Sequence, residues 1–167
     1  MRAIFAMLCI VCIIIPVIMY GVGIVDVIHM DANCISYFEM AADANSVSLA
    51  EKHLSSGIKY LEENDLTHGN TKVLVYRPTQ DIGLWYENLK SAQMQLQELK
   101  AKENLTELEE SNALMKLRET LLNSKGSVTH PSMISFYPSH VSWFWWLMLG
   151  WLLWIPALIF GVFASEY

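Results

Sequence analysis

Two long uncharged runs constrain this chain more than any other feature of its sequence. Residues 3–25 and 141–163 each contain 23 residues without Asp, Glu, Lys, Arg or His. At ~1.5 Å rise per residue, each run forms a helix of about 34 Å, enough to cross the ~30 Å hydrocarbon core of a bilayer. A buried core helix would be shorter and would need a larger domain around it. We therefore predict an integral membrane protein with transmembrane helices at residues 3–25 and 141–163.

The flanking charges predict how these two helices are oriented. The first run is longer than the ~7–15 apolar residues of a signal peptide and no small-x-small cleavage site follows it, so we expect an uncleaved anchor. Arg2 precedes the run, and Asp26 and Asp31 follow it. The positive-inside tendency then puts both termini in the cytoplasm of a bacterial inner (plasma) membrane. Residues 26–140 become an extracytoplasmic domain, and residues 164–167 a short cytoplasmic tail.

The segment between the runs has the composition of a soluble domain and carries no recognisable catalytic motif. It holds 16 acidic and 10 basic residues. Nucleic acid is not expected as a partner, because phosphate binding needs clustered Lys or Arg. Neither HExxH nor EF-hand spacing occurs, and Cys9 and Cys12 lie inside the first run, where small packing residues are common. Cys34 stands alone outside and is available to pair with another chain. We expect no enzyme activity, catalytic residue, cofactor or metal site.

An apolar stripe predicts a first long helix over residues 27–64. Its members lie seven, seven, four and three residues apart: Met40, Val47, Leu54, Ile58 and Leu61. Asp43 falls on the stripe and interrupts it. Ser48 with Glu51 has the spacing of a capping box, so a break near residues 44–48 is the alternative.

A heptad-like seam, typical of a coiled coil, predicts a second long helix over residues 80–123. Its members are Ile82, Trp85, Leu89, Ala92, Leu96 and Leu99. The seam resumes in phase at Leu114, because 18 residues from Leu96 make five helical turns. Asn104 with Glu107 is the competing signal, a cap for a new helix. The fold class is therefore an all-α membrane protein whose soluble domain is a long helical hairpin or a small bundle of broken helices.

Residues 72–76 are the strand candidate of the chain, and we expect this strand-like segment at the tip of the hairpin. A lone strand must stay solvated or pair with another chain, because a buried unpaired backbone group costs roughly 1–3 kcal/mol. We therefore expect a partner-binding surface here and on the nearby seam. The predicted partner-binding residues are Val73, Val75, Tyr76, Trp85, Tyr86 and Leu89.

Small residues in both apolar runs suggest helix packing. Ala157, Gly161 and Ser165 repeat at four-residue spacing, a pattern that lets transmembrane helices approach closely. Gly21 and Gly23 form a similar smooth patch in the first run.

These features predict a non-enzymatic, membrane-anchored interaction protein, an accessory, scaffold or assembly subunit of a membrane complex. Its partners would be the lipid bilayer and other membrane proteins, including a second copy of itself. The alternative is a ligand-sensing helical module. The layout resembles bacterial two-pass sensors superficially, but four residues after the second run are too few for an output domain. A sensor of this kind would have to signal through a partner protein.

Overall fold

The computed structural model describes residues 2–102 and 104–166. Within these, only the backbone is described at residues 2–6, 8, 9, 19, 153, 154, 156–158, 160, 161 and 163–166. The described chain is mostly helical and contains no β-strand, only two isolated bridges, Asn70 to Asp81 and Leu122 to Val128. The all-α prediction is confirmed.

The helices follow one another with short connections. Their bounds are α1 Arg2–Met30, α2 Ser36–Ala42, α3 Val47–Glu63, α4 Ile82–Lys100, α5 Glu107–Leu121 and α6 His140–Glu166. Single 3₁₀ turns occur at Pro78–Gln80 and Ile134–Phe136. Helices α2 to α5 pack into one bundle, while α1 and α6 lie side by side below it.

Helix α1 continues without a break into the bundle. The π-helical turn Asp31–Ile35 joins α1 to α2, and Ser36 keeps right-handed helical angles. Among the described residues, one helix is long and apolar enough to cross a membrane: Ile10–Ala42. Its most apolar window has a mean hydropathy of 2.5 and is only 12 % buried. That low burial argues against the core helix of a soluble protein.

The predicted single helix over residues 27–64 is wrong, because the chain breaks between α2 and α3. Helix α2 ends at Ala42, and Ser46 caps α3 by accepting a hydrogen bond from the Leu49 amide at 3.3 Å. The cap is thus two residues earlier than the predicted Ser48. Ser46 stabilises a new helix start by satisfying one of its exposed amides, and this local stabilisation decides where α3 begins, although the apolar stripe runs on with regular spacing.

The predicted single helix over residues 80–123 is also wrong. Thr106 accepts from the Glu109 amide at 3.2 Å, and the Glu109 side chain accepts from the Thr106 amide at 3.0 Å. This capping box starts α5 two residues after the predicted cap at Asn104. Glu110 then accepts from the Val47 amide at 2.9 Å, which ties the starts of α5 and α3 together. The structure is therefore the small bundle of broken helices.

The core forms where α2, α3 and α4 meet. The Phe38 ring is completely buried, and its edge meets the Trp85 ring at a centroid distance of 5.7 Å and an angle of 87°. Gly57 of α3 faces the same ring, and an added Cβ there would collide with three of its carbons. Four of the five stripe residues are buried as predicted, but Met40 is 43 % exposed, because Phe38 and Ala41 form the inner face of α2 instead.

Polar side chains join α3 to α4 along their outer edge. Glu62 accepts hydrogen bonds from Tyr86 at 2.6 Å and from Lys90 at 3.1 Å. Glu51 binds Lys100 at 3.0 Å, further along the same pair of helices. Burial alone would raise the pKa of Glu51, but hydrogen bonds from Lys100, Ser55 and Gln97 hold it below its ordinary value. These contacts fix the register of two antiparallel helices.

Helices α1 and α6 approach closely at glycines. A Cβ at Gly23 would lie 3.3 Å from the Trp143 ring, and one at Gly150 would lie 3.8 Å from Pro16. Gly21, two residues from Gly23, has open space around it. Gly23 therefore belongs to the packed face of α1, and Gly21 to its outer face.

Replacing Gly57 with alanine should destabilise the bundle, although alanine normally favours a helix by about 1 kcal/mol over glycine. The new methyl group would collide with the Phe38 ring, and overpacking of this kind costs about 1–3 kcal/mol. Thermal unfolding followed by circular dichroism measures the effect. A smaller ring-free side chain, Phe38→Leu, should remove the incompatibility, so the double variant should show strong coupling. Additive effects of the two substitutions would contradict this packing.

A second pair of variants tests the contact between α1 and α6. Gly23→Leu should lower the unfolding temperature in mild detergent, because the side chain would enter the space of Trp143. Gly21→Leu is the matched control and should leave that temperature nearly unchanged. Equal effects from both substitutions would mean that the two helices do not pack through Gly23.

Candidate functional site

The loop of residues 67–81 lies at the end of the bundle that faces α6. Gly69 has a φ of +102°, and the Tyr137 hydroxyl group packs where its Cβ would be, so only glycine fits both demands. Thr71 donates its amide to the Gln80 carbonyl at 3.0 Å, which closes the loop. The Gln80 side-chain oxygen accepts from the Ser132 amide at 2.7 Å and so attaches the loop to the segment that enters α6.

The predicted strand at residues 72–76 is wrong. Residues 73–75 form a bend, and the backbone of Lys72 donates to the Asn70 side chain at 2.9 Å rather than to a neighbouring strand. Its β-branched residues favour a strand only where a second strand can pair with them. The short closure of the loop leaves no such edge.

An apolar crown, defined here as Val73, Leu74, Val75 and Tyr76, stands out from this loop. Leu74 is 76 % exposed, Val75 67 % and Tyr76 63 %. Residues 71–75 of the loop share an open cleft with Met133 and with Phe144 near the start of α6. The crown therefore lies beside the beginning of α6, not at the far tip where the sequence pattern suggested.

Polar contacts at the foot of the crown are satisfied within the loop. The Tyr76 hydroxyl donates to the Asp81 carboxylate at 2.9 Å, and Asp81 also accepts from the Leu84 amide at 3.0 Å as the cap of α4. The Leu84 amide and the Tyr76 hydroxyl lower the pKa of Asp81, while the bond to that carboxylate raises the pKa of Tyr76. Lys72 and Arg77 flank the crown and are exposed.

The structure divides the predicted partner-binding residues into two groups. Val75 and Tyr76 are exposed and Val73 is half-buried, all on the crown. Leu89 is only 2 % exposed and belongs to the core. It is therefore not available for direct contact with a partner, and this part of the prediction is wrong.

The other two predicted residues, Trp85 and Tyr86, are half-buried within the bundle. Trp85 packs on Phe38, and Tyr86 binds Glu62. Burial and the neighbouring Glu62 carboxylate raise the pKa of Tyr86 to about 12. The seam on which we expected a partner-binding surface is largely covered by the four helices of the bundle, so its apolar character does not argue for an external partner.

A second surface feature is the α4–α5 cleft. Leu96 and Leu117 are buried at its floor. Apart from Leu99, its walls are small or polar: Asn88, Ser91, Ala92, Gln95, Ala113, Lys116 and Thr120. The cleft holds about 180 Å³ and opens to solvent. Drug-sized ligands usually occupy ~300–1,000 Å³, so this cleft suits a protruding side chain better than a small molecule.

The predicted packing residues of the second run are not described in full. Ala157, Gly161 and Ser165 lie within the backbone of α6, but their side chains lie outside the described residues.

The titratable groups of the described chain do not form a metal centre: no group of three or more His, Cys, Asp or Glu residues is arranged to hold an ion there. Cys34 is completely buried beside Gly57, and burial raises the pKa of its thiol to about 12. Cys34 is therefore not available in the folded protein for the pairing with another chain that the sequence left open. His140 is buried and stacks on Tyr137, and its Nδ1 atom has no hydrogen-bond partner.

No family model, curated protein or solved structure matches this chain.

Sequence reasoning missed the neighbours that position the crown. Gln80 binds Ser132, and Phe144 borders the cleft beside Leu74; these contacts form only because α3 and α4 return the loop to the level of α6. One local signal was available: no acidic residue occurs between Asp65 and Asp81, in an otherwise acidic segment.

Proposed function

We propose that this chain is a two-pass integral membrane protein of the bacterial inner membrane that presents its helical bundle, residues 26–140, on the outer side. Its role is non-enzymatic: it acts as an accessory, scaffold or assembly subunit and binds other membrane proteins. The observation that carries the proposal is the continuous helix from α1 through α2, which links an apolar, exposed helix directly to the core of the bundle.

The exposed surfaces of α1 and α6 support two membrane spans. Apolar side chains that would otherwise face water cover both helices, among them Ile18 and Ile28 of α1, and Trp151 and Leu152 of α6, each at least 58 % exposed. A lipid environment removes the cost of exposing this surface, because the hydrophobic effect favours burial by about 25 cal/mol per Å². The side-by-side packing of α1 and α6 agrees with a chain that crosses and returns.

The α4–α5 cleft supports a binding role for the bundle. It is open and small, and its rim carries hydrogen-bonding groups such as Ser91 and Lys116. An inserted side chain of a partner protein would fit these features, and the partner would be a membrane protein or a second copy of this chain.

The alternative function is a ligand-sensing module that signals through a partner protein. The continuous α1–α2 helix favours it, because movement in the bundle would reach the membrane segment without a hinge loop. The size and openness of the α4–α5 cleft argue for the interaction role first.

The orientation can be tested with a membrane-impermeant thiol reagent in intact cells. Ser48 is exposed on α3, so Ser48→Cys should react in intact cells if the bundle is outside. The parent chain is the control: its Cys34 is buried and should react only after unfolding. Reaction of Ser48→Cys only after lysis would reverse the orientation.

Assembly can be tested by amine crosslinking in native membranes, followed by electrophoresis. The parent chain should give a discrete product larger than its own 19.1 kDa. Ser91→Arg should reduce this product several-fold, because the new side chain would fill the cleft. Ser111→Arg is the matched control, since Ser111 is exposed on α5 but does not line the cleft. The interaction role fails if the parent chain gives no product, and the cleft fails as the contact if both variants behave like the parent.

A further inference from the structure

The loop that carries the apolar crown has a net positive charge, whereas the domain around it is acidic. Residues 26–140 have an excess of six acidic residues, yet residues 66–80 contain Lys72 and Arg77 and no acid. Among the described ion pairs, neither Lys72 nor Arg77 has an acidic partner. Two exposed cations beside four apolar side chains form an amphipathic surface, and each Lys or Arg near an anionic lipid surface contributes to the attraction between them.

The position of the crown is set by contacts with the segment that enters α6. The Gln80 side chain accepts from both the amide and the hydroxyl of Ser132, and Tyr137 packs against Gly69. Phe144 borders the same cleft as Leu74 and lies four residues after the start of α6, about 6 Å along the helix. If α6 spans the membrane from residue 141, the crown lies at the depth of its outer interface.

The backbone of the crown disfavours a protein partner that adds a strand. Residues 73–75 form a bend, so they do not present the regular row of donors and acceptors that strand addition requires. The exposed groups are mainly the side chains of Leu74 and Val75, with Val73 half-buried beside them, while the Tyr76 hydroxyl is already bonded to Asp81. Apolar side chains with few free polar groups match the boundary between lipid headgroups and acyl chains.

We propose that the apolar crown inserts into the outer interface of the same bilayer that holds α1 and α6, with Lys72 and Arg77 on lipid phosphates. This inference rests on the proposed membrane anchoring and adds a third contact with the bilayer. The surface it names, Val73 to Tyr76, includes residues for which the sequence predicted a protein partner.

The experiment measures quenching of a fluorophore by lipids in nanodiscs that hold the full chain. The discs contain phosphatidylcholine and phosphatidylglycerol. In one set some lipid carries a doxyl quencher high on its acyl chain, which samples the interface, and in a second set near the chain end, which samples the bilayer centre around residue 152. A nitrobenzoxadiazole probe is attached at one engineered cysteine, Leu74→Cys, Leu108→Cys or Leu152→Cys. Cys9 and Cys12 are replaced by alanine, and the buried Cys34 is kept.

The three probe positions give matched comparisons. Leu74 and Leu108 are 76 % and 70 % exposed, so both probes should attach readily. Leu108 lies at the start of α5, near the Val47 end of α3 and hence away from α6. Leu152 lies on α6 itself and reports whether that helix is in the membrane.

Insertion predicts that the probe at residue 74 is quenched roughly twofold or more compared with the probe at residue 108. The probe at residue 152 should also be quenched. The double variant Lys72→Gln, Arg77→Gln should reduce quenching at residue 74 in anionic discs towards the level in discs of phosphatidylcholine alone. Quenching at residue 152 should not change.

The opposite outcomes are distinct. Quenching at residue 152 but not at residue 74 would overturn the crown proposal and leave membrane anchoring intact. No quenching at residue 152 would overturn the anchoring itself. If residue 74 is unquenched in discs but protected from a water-soluble thiol reagent in native membranes, a protein partner covers the crown and the lipid proposal is wrong.

Discussion

The buried ring of Phe38 is the contact on which the bundle depends. It belongs to α2, faces Gly57 of α3, and meets Trp85 of α4 edge to face. Because α2 is the continuation of α1, the same ring joins the long apolar helix to the core. A single large side chain can connect three helices only where a neighbour is small, and Gly57 supplies that space at the cost of weaker helix propensity. Because Phe38 packs closely against α3 and α4, the direction of α1 determines where the bundle lies.

Periodicity in the sequence predicted the helical class and most of the core. Leu54, Ile58 and Leu61 are buried, and so are Ile82 and Leu96. The breaks were harder to locate, because polar residues near each break make tertiary contacts. Asp43 forms an ion pair with Arg118 at 3.5 Å, and the Glu110 side chain accepts a hydrogen bond from the Val47 amide. Those partners are 75 and 63 residues away in sequence, and no local pattern reveals them.

The loop at the base of the bundle shows the limit of residue propensity. Val73 and Val75 are residue types common in strands, but Gly69 and the contacts of Gln80 close the segment too tightly for a strand to pair there. Its apolar side chains consequently remain exposed. The distribution of acidic residues was the more useful signal, since residues 66–80 contain Lys72 and Arg77 and no acid, unlike the rest of the domain, and the adjoining Asp81 carboxylate is bonded to Tyr76. For a short apolar run of this kind, the charges of the flanking residues predict its surroundings better than the strand propensity of the run does.

The π-helical turn Asp31–Ile35 has a consequence for the phase of the chain. Each α-helical residue advances the direction of its side chain by about 100°, and a π turn takes in one residue more than an α turn would. The side of the rod that carries Cys34 and Phe38 is therefore rotated by about that angle from the line that the α1 periodicity would extend. The continuous helix from α1 through α2 can thus direct one side to its surroundings in α1 and a different side to the core of the bundle in α2. The phase set by this turn puts Phe38 and Ala41 on the inner side of α2, and Met40, one residue from Ala41, lies outside it.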